Sequence, residues 1–315
     1  MGSRRDEKRG TQSECMEREA LCFNTSLYLA HPFFIETMLR IPDAPKVIQK
    51  GFPLKNVLGP EAVRYLANNL AFVYPAFKAK EFQDAALSGL DALEFLERGT
   101  HIAKALRSYL PQKYATAIDI LLSSLTPPNG ETEGLGLAVF FYHTHGCFVS
   151  EFGLDAKHNE GEDPFAVSMR AQYELTKRNT SEFSIRPFLI QQQARTLGTL
   201  LEWTSDPDPH VRRLCSEGTR PRLPWAPRIP AFIENPGPVL PILEKLKIDS
   251  CLYVRRSVAN HFGDIVKDHP ELVYGIFEKW LENPSREVKW VIRHGLRYPA
   301  KKGDRKAIRI RTAAK

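Results

Sequence analysis

The sequence predicts an all-α protein built from stacked helical repeats. From Pro60 onward, apolar residues recur at spacings of three and four, which is the period of a helix with one buried face. Short joints that contain proline or glycine separate these segments. No run alternates strictly between apolar and polar residues, so we expect little or no β-sheet. A basic motif that recurs in the C-terminal half indicates that the helices repeat.

That motif is VRR, which begins at Val211 and again at Val254, with a looser copy at Val288. The spacings of 43 and 34 residues lie in the range of helical-pair repeats of the HEAT and armadillo type. Each copy follows a polar or proline-containing corner and begins with an apolar residue. Because stacked repeats place corresponding helices side by side, we expect a HEAT-like solenoid whose basic side chains line one concave face.

Composition limits the class of protein. The 315 residues are 43% hydrophobic, which allows a large core in one long helical domain. A net charge of +7 favours an anionic partner, nucleic acid before a membrane surface. The five cysteines have unrelated spacings that form neither a disulfide framework nor a zinc pattern, as in a reducing compartment. No stretch predicts a membrane span or a signal peptide.

The chain divides into three predicted parts. Residues 1–51 are an extra N-terminal segment, of which the first 20 residues are charged and predicted to be disordered and residues 41–51 are a linker. Residues 52–303 form the repeat domain, and residues 304–315 form a basic C-terminal tail. The repeat domain begins with four helical segments: EAVRYLANNLAFVY, KEFQDAALSGLDAL, LERGTHIAKALRSYL and KYATAIDILLSSL.

Two loops interrupt the helical pattern. Pro127–Gly136 has the composition of an ordinary loop, and the acidic stretch Asp155–Asp163 is predicted to project from the surface.

The stretch Ser205–Arg228 carries the strongest charge signal. Asp208 can cap a helix that starts at Pro209 and ends at Gly218, after which three prolines prevent further helix. Residues 211–228 contain one acid, Glu217, and five arginines: Arg212, Arg213, Arg220, Arg222 and Arg228. Guanidinium groups around a stiff corner suit a polyanion whose phosphates accept two hydrogen bonds each. The alternative is a surface helix followed by a solvated loop.

Two further series have helical spacing. Lys289, Arg293 and Arg297 stand at i, i+4 and i+8, which predicts one basic stripe on one helix. Arg178, Glu182 and Arg186 have the same spacing, and from periodicity alone they form an exposed ion-pair ladder.

Other candidate groups have simpler interpretations. His143, His145 and Cys147 superficially resemble metal ligands, but their order fits no standard site and no second half-site is nearby, so we expect no metal. His261 is interpreted as a buried or cleft histidine. The tryptophans at 203, 280 and 290 have helical spacing and are expected in the core.

Seven stretches of the sequence, spread over roughly residues 52–303, resemble the AlkC branch of the AlkC/AlkD alkylpurine DNA glycosylases. They are FPLKNVLGPEAVRYLANNL, FVSEFGLD, ELTKRNTSEFSIRPFL, DPDPHVRRLCSEGTRPRLPWAPR, VLPILEKLK, LYVRRSVANHFGDIVKDHPEL and VIRHGLR. The resemblance implies HEAT-like repeats that wrap duplex DNA. It also implies excision of cationic N-alkylated bases such as 3-methyladenine, with 3-methylcytosine and 1-methyladenine as further candidates. The expected protein is a monomer without a metal or organic cofactor, cytoplasmic and located with the DNA in nucleoid or nucleus.

The resemblance also implies the residues of the site. Glu151 and Glu182 form the family's carboxylate pair, which stabilises an oxocarbenium-like sugar and orients water without full extrusion of the nucleotide. Arg178 and Arg186 are then expected to keep Glu182 ionised and to dock phosphates. The remaining expected DNA contacts are Arg212, Arg213, Arg220, Arg222, Arg255, Arg256, Lys289 and Arg293. Trp225 is expected either to stack on a base or sugar or to act as a packing anchor.

The sequence departs from the family in several places. The first 50 residues have no recognised counterpart, the stretch Asp155–Asp163 is longer, and Gly263 and Cys215 replace the usual Asn and Ala. Some members also carry an immunoglobulin-like domain after the repeats, whereas this sequence ends at Lys315. Two alternatives to a glycosylase therefore stay open. One is a non-catalytic HEAT-type scaffold for nucleic acid or an acidic protein, and the other is a family member that binds DNA without excision.

Overall fold

The structure, a computed structural model, describes residues 39–315. Within this range the chain forms sixteen α-helices and five short 3₁₀ helices, and the sole β-type pairing is an isolated bridge between Gln49 and Phe52. The predicted scarcity of sheet is confirmed for these residues. The predicted disorder of the first 20 residues falls outside the described range.

The described residues form two compact units. The first runs to Pro128 and resumes over Gly136–Ser168. Its α-helices are α1 (Pro60–Val73), α2 (Ala79–Leu87), α3 (Phe95–Arg107), α4 (Tyr114–Ser123) and α5 (His143–Phe152). Between α4 and α5 lies the predicted loop Pro127–Gly136, which contains no helix.

The second unit comprises Asn129–Leu135 and Met169–Lys315. The chain continues through α6 (Phe165–Thr176), α7 (Arg186–Gln191), α8 (Gln193–Trp203), α9 (Pro209–Glu217), α10 (Pro230–Glu234) and α11 (Leu240–Leu246). It ends with α12 (Leu252–Ile265), α13 (Pro270–Trp280), α14 (Arg286–Gly295), α15 (Arg297–Lys301) and α16 (Arg305–Ala313).

Close packing fixes α5 in the first unit. Glu94 and Glu97 form a capping box at the start of α3, the helix that packs along α5. A Cβ at Gly99 would lie 2.5 Å from His143 Cδ2 on α5, so the two helices approach at a point where only glycine fits. Because α3 and α5 are in such close contact, the helix that carries Glu151 has little freedom to shift.

The three basic helices of the second unit stack as the repeat predicts. Helix α9 packs on α12, and α12 packs on α14. The first apolar residue of each motif is buried, with Val211 and Val254 at 0% and Val288 at 4% exposure. Residues at corresponding positions of the three motifs therefore recur from helix to helix, and the predicted side-by-side arrangement is confirmed.

The last part of the chain is helical. Residues 304–315, expected as a basic tail, include α16, whose Ala307 and Ile310 are buried against the neighbouring helices. The prediction of one basic stripe through Arg297 is wrong, because α14 ends at Gly295 and Arg297 begins the next helix after Leu296. Over residues 39–315, no helix has both the length and the apolar character needed to cross a bilayer.

Candidate functional site

Glu182 lies in a turn between two helices. Helix α6 ends at Thr176, just before the turn-forming polar residues 179–181. Helix α7 begins at Arg186, where Pro187 occupies the first turn and has no N–H to donate to the carbonyl of residue 183. The ladder of Arg178, Glu182 and Arg186 predicted from helical spacing is therefore wrong. Arg178 pairs instead with Glu174, at 3.0 Å from Nη1 to Oε2.

Two groups hold the Glu182 carboxylate, one distant in sequence and one nearby in sequence. Arg213 Nη1 on α9 donates to Oε2 at 2.7 Å, and the Thr180 hydroxyl donates to the same oxygen. Oε1 has no hydrogen-bond partner among the described residues. The residue is only 8% exposed. One oxygen is thus fixed and the other is left for a further partner.

Arg213 is shared between two carboxylates. Besides Glu182, its Nη2 lies 3.6 Å from Glu217 Oε1, and its guanidinium stacks 4.9 Å from the centre of the Tyr253 ring. Burial alone would lower the pKa of Arg213, but Glu182 and Glu217 raise it above its usual value. Arg213 was expected to contact phosphate, and the structure places it as the ion-pair partner of Glu182.

Behind Arg213 the network continues into the core. Glu217 accepts from Arg220 Nη1 and from the Ser257 hydroxyl, both at 2.6 Å, and Arg220 Nε donates to Asp264 at 2.8 Å. Burial would raise the pKa of Glu217, but Arg213 and Arg220 hold it below its usual value. Arg220 is 8% exposed and bound to two carboxylates, so in this structure it has no open face for a phosphate.

Arg186 closes the loop that carries Trp225. Its side chain is 0% exposed and donates to three carbonyls, those of Gly218 at 3.1 Å, Arg220 at 2.8 Å and Pro227 at 2.7 Å. Burial, with the nearby charge of Arg220, lowers the pKa of Arg186 to about 10. This buried guanidinium ties the two ends of the loop together, and it is not at the surface where a phosphate would meet it.

Trp225 itself projects from that loop. It is 60% exposed, which is not the environment of a packing anchor. Its backbone φ of 65° lies in the left-handed region, which is rare for a bulky residue. A strained backbone and an exposed indole commonly mark a surface used for binding.

Arg212 and Arg255 occupy the same position of the repeat and make the same contacts. Arg212 Nη1 donates to the carbonyls of Asp206 and Pro207 at 2.8 and 2.9 Å, six and five residues earlier. Arg255 Nη1 donates to the carbonyls of Asp249 and Ser250, again six and five residues earlier. Each arginine therefore fastens the corner before its own helix. The sequence signal for this role was an aspartate six residues before each arginine.

An additional ion pair joins the two corners. Arg212 Nε and Nη2 bind Asp249 Oδ2 and Oδ1 at 2.6 and 3.1 Å. Arg222 forms a similar two-fold pair with Asp268, at 2.9 and 2.8 Å, and exposed Arg256 lies 3.5 Å from Glu133. Of the expected DNA contacts outside the corners and the buried interior, Lys289 and Arg293 have no carboxylate partner among the described residues.

Glu151 has a different environment in the first unit. It lies near the end of α5 with its side chain 35% exposed, and Lys104 Nζ is 3.4 Å from Oε2. Just beyond, a Cβ at Gly153 would meet Ser168 Oγ at 2.4 Å, so the end of the helix is tightly seated. Glu151 is thus an accessible carboxylate on a fixed helix.

The histidines are buried rather than arranged around an ion. His143 Nε2 contacts Cys147 Sγ at 3.5 Å, and burial lowers the pKa of His143 to about 4. Within residues 39–315, no three His, Cys, Asp or Glu side chains cluster in a way that could hold a metal. His261 is fully buried with Nδ1 3.0 Å from the Ser216 carbonyl, and burial with nearby Arg220 lowers its pKa to about 3.

Comparison with known proteins assigns the fold. No family model matches the chain. The uncharacterized protein YhaZ of Bacillus subtilis is 37% identical over 258 residues, 82% of this chain and 67% of YhaZ. The structure of Pseudomonas fluorescens alkylpurine DNA glycosylase AlkC, bound to DNA containing an abasic site analog, matches with a TM-score of 0.72 and 36% identity. That match also covers 82% of this chain and 67% of AlkC.

The fold and these matches define an all-helical, HEAT-like repeat protein, and the predicted fold class is confirmed. The chain belongs to the AlkC family. AlkD2 from Streptococcus mutans is a more distant match, with 21% identity and a TM-score of 0.34 over 74% of this chain and 95% of AlkD2.

Proposed function

We propose that this protein is a DNA glycosylase that excises cationic N-alkylated bases, 3-methyladenine foremost, from duplex DNA. The observation that carries the proposal is the 36% identity over 82% of the chain to AlkC, an alkylpurine DNA glycosylase. The anchored carboxylate of Glu182 and the exposed indole of Trp225 support it.

The proposed chemistry requires no strong general acid. N-alkylation places a positive charge on the base, so the base is already a good leaving group. The main cost is the positive charge that develops on the sugar as the N-glycosidic bond breaks. A carboxylate that is already oriented stabilises this charge without rearranging in the transition state.

Glu182 is the proposed stabilising group. Arg213 and Thr180 fix its Oε2, and Oε1 is available to the sugar cation or to the attacking water. The positive charge of Arg213 partly offsets the field that the Glu182 carboxylate exerts on the sugar. In return, the ion pair fixes the position of the carboxylate. Arg213 is in this proposal a positioning residue, acting on the sugar only through Glu182.

Glu151 is the second proposed carboxylate. Its pairing with Lys104 involves a lysine side chain that is 60% exposed. Exposed pairs of this kind contribute about 1 kcal/mol at most, so the lysine can leave when DNA arrives. Trp225 is proposed to stack on a base or to press against a deoxyribose, with Lys289 and Arg293 contacting phosphates.

Incubation of the full chain with methylated duplex DNA, followed by chromatography of released free bases, tests this function. We expect release of 3-methyladenine, with 3-methylcytosine and 1-methyladenine assayed beside it. Uracil is expected to stay in place, because this neutral base is a poor leaving group and a carboxylate that acts on the sugar does not improve it. Equal release of uracil would contradict the mechanism, and tight binding with no release at all would indicate a scaffold or a non-catalytic family member.

A further inference from the structure

The basic side chains of the second unit fall into two groups. Most of the arginines of the central repeats are bound to carboxylates: Arg178, Arg212, Arg213, Arg220, Arg222 and Arg256. Near the C-terminus, in contrast, several cations have no carboxylate within ion-pair distance among the described residues. A group of positive side chains without an ion pair therefore lies on the last helices of this unit.

Four of these cations line one cleft. The cleft has a volume of about 270 Å³ and lies among α14, α15 and α16. Arg293, Lys301, Arg311 and Lys315 contribute its positive charge, and Thr312 contributes a hydroxyl. No acidic side chain lines it. Four positive side chains around a small volume repel one another, and a bound anion would reduce that repulsion.

The two arginines of the cleft are held in place. Arg293 Nη1 donates to the Ala314 carbonyl at 2.5 Å, and Arg311 Nε donates to the Arg293 carbonyl at 2.9 Å. Each guanidinium thus reaches across to the other's segment and uses one donor there. Because a guanidinium has five donors, the remaining ones can bind a tetrahedral anion without losing these contacts.

The opposite side of α16 shows that the lack of acids is local. Lys306 and Arg309 on the same helix pair with Glu271 and Glu278 of α13, at 2.6 and 2.8 Å. The face of α16 toward α13 is therefore neutralised within the protein. Lys289, one turn before Arg293 on α14, has no ion-pair partner among the described residues and extends the positive charge beyond the cleft.

We propose that this cleft binds a backbone phosphate of duplex DNA. The inference rests on the proposed function for its choice of anion, and it adds Lys301, Arg311 and Lys315 as contact residues. Fixed guanidinium groups match the oxygens of a phosphodiester, and the two lysines add charge without directional demands. A phosphate contact at this place positions the duplex and carries no information about its sequence.

The test compares variants on the two sides of α16. Lys301→Ala and Arg311→Gln remove charge from the cleft, and Lys306→Ala and Arg309→Gln remove equal charge from the neutralised face. Affinity for undamaged duplex is measured by fluorescence anisotropy over a range of salt concentrations. Each cleft variant is expected to bind more weakly and to make the plot of log affinity against log salt shallower by about one unit. The two control variants are expected to bind as the unchanged protein does.

Folding and anion source are checked in the same series. The Lys315 side chain makes no hydrogen bond or ion pair among the described residues, so Lys315→Ala provides a second cleft variant if Arg311→Gln fails to fold. Binding of inorganic phosphate, measured by calorimetry, separates a free-anion site from a DNA site. Loss of phosphate binding with unchanged DNA affinity would overturn the proposal, and so would equal weakening by cleft and control variants. Excision of alkylated bases is measured separately, so rejection of the phosphate site in the cleft can be distinguished from rejection of the proposed glycosylase activity.

Discussion

At the scale of single residues, the charge of Glu182 can be removed while the size of its side chain is kept. In Glu182→Gln the side chain keeps its size but loses the negative charge proposed to face the sugar cation. We expect excision of 3-methyladenine to fall by about 10²-fold or more, while duplex affinity is retained. Single-turnover kinetics and anisotropy measure the two effects.

The same experiment on Glu151→Gln provides the comparison. If both carboxylates act on one transition state, the double variant loses less than the product of the two single effects. Near-normal excision by folded Glu182→Gln protein would make the Arg213–Glu182 pair purely structural and leave Glu151 as the remaining candidate.

Arg213 can be tested as a positioning residue. In Arg213→Gln two nearly buried carboxylates, Glu182 and Glu217, lose a shared cation, so we expect about 3–5 kcal/mol of lost stability. Arg213→Lys keeps the charge but cannot hold both carboxylates with a planar fork, so we expect a lower kcat with little change in KM. A phosphate ligand would behave differently, with weaker DNA binding, a shallower salt dependence and normal turnover of bound substrate.

At the scale of elements, the repeated corner explains why an arginine follows both Val211 and Val254. In Arg212→Gln the hydrogen bonds to the Asp206 and Pro207 carbonyls and the pair with Asp249 are lost. We expect the free energy of unfolding to fall by about 2–3 kcal/mol, with the salt dependence of DNA binding unchanged. Urea denaturation measures the first quantity. Arg228→Gln, at an exposed arginine, is the control and is expected to leave stability unchanged.

The loop of Trp225 gives the complementary result. The indole is 60% exposed, so Trp225→Ala is expected to leave the unfolding midpoint unchanged. If the ring stacks on a base, duplex affinity should decrease by about 10- to 100-fold, corresponding to about 1–3 kcal/mol per stacked base. Unchanged affinity in a folded Trp225→Ala protein would exclude this ring from the interface.

The helices and their stacking could be predicted from local patterns. Apolar spacing identifies the helices, and the return of VRR identifies α9, α12 and α14 as corresponding members of stacked repeats. The role of each arginine could not be predicted in this way, because its partner is an acid brought near by packing. Arg213 and Glu182 are 31 residues apart, and Arg222 and Asp268 are 46 apart. Pro187 and the turn-forming residues 179–181 were the local signals against a continuous ladder at Glu182.

At the scale of the whole molecule, buried histidines predict sensitivity to acid. The pKa of His261 is lowered to about 3 and that of His143 to about 4, chiefly by burial. Below about pH 6.5 the unfolded chain binds protons that the folded protein does not, so stability decreases as pH falls. Each histidine contributes a slope of up to about 1.4 kcal/mol per pH unit until its folded pKa is reached.

Thermal unfolding between pH 8 and pH 5 measures this dependence. His261→Gln removes one titrating group from the second unit, so its melting temperature should change less over this interval than that of the unchanged protein. An equal change in both proteins would show that His261 does not carry the effect.

The hydrogen bonds from Arg186 to both ends of the Trp225 loop have a consequence for biosynthesis. The carbonyl of Pro227 follows Arg186 by 41 residues, so a growing chain must keep this guanidinium hydrated until the later segment has been made. Only when Arg186 enters the interior do both ends of the Trp225 loop become fixed. In a nascent or truncated chain the Trp225 indole therefore has no defined orientation. The surface proposed to contact DNA forms only when the second unit folds.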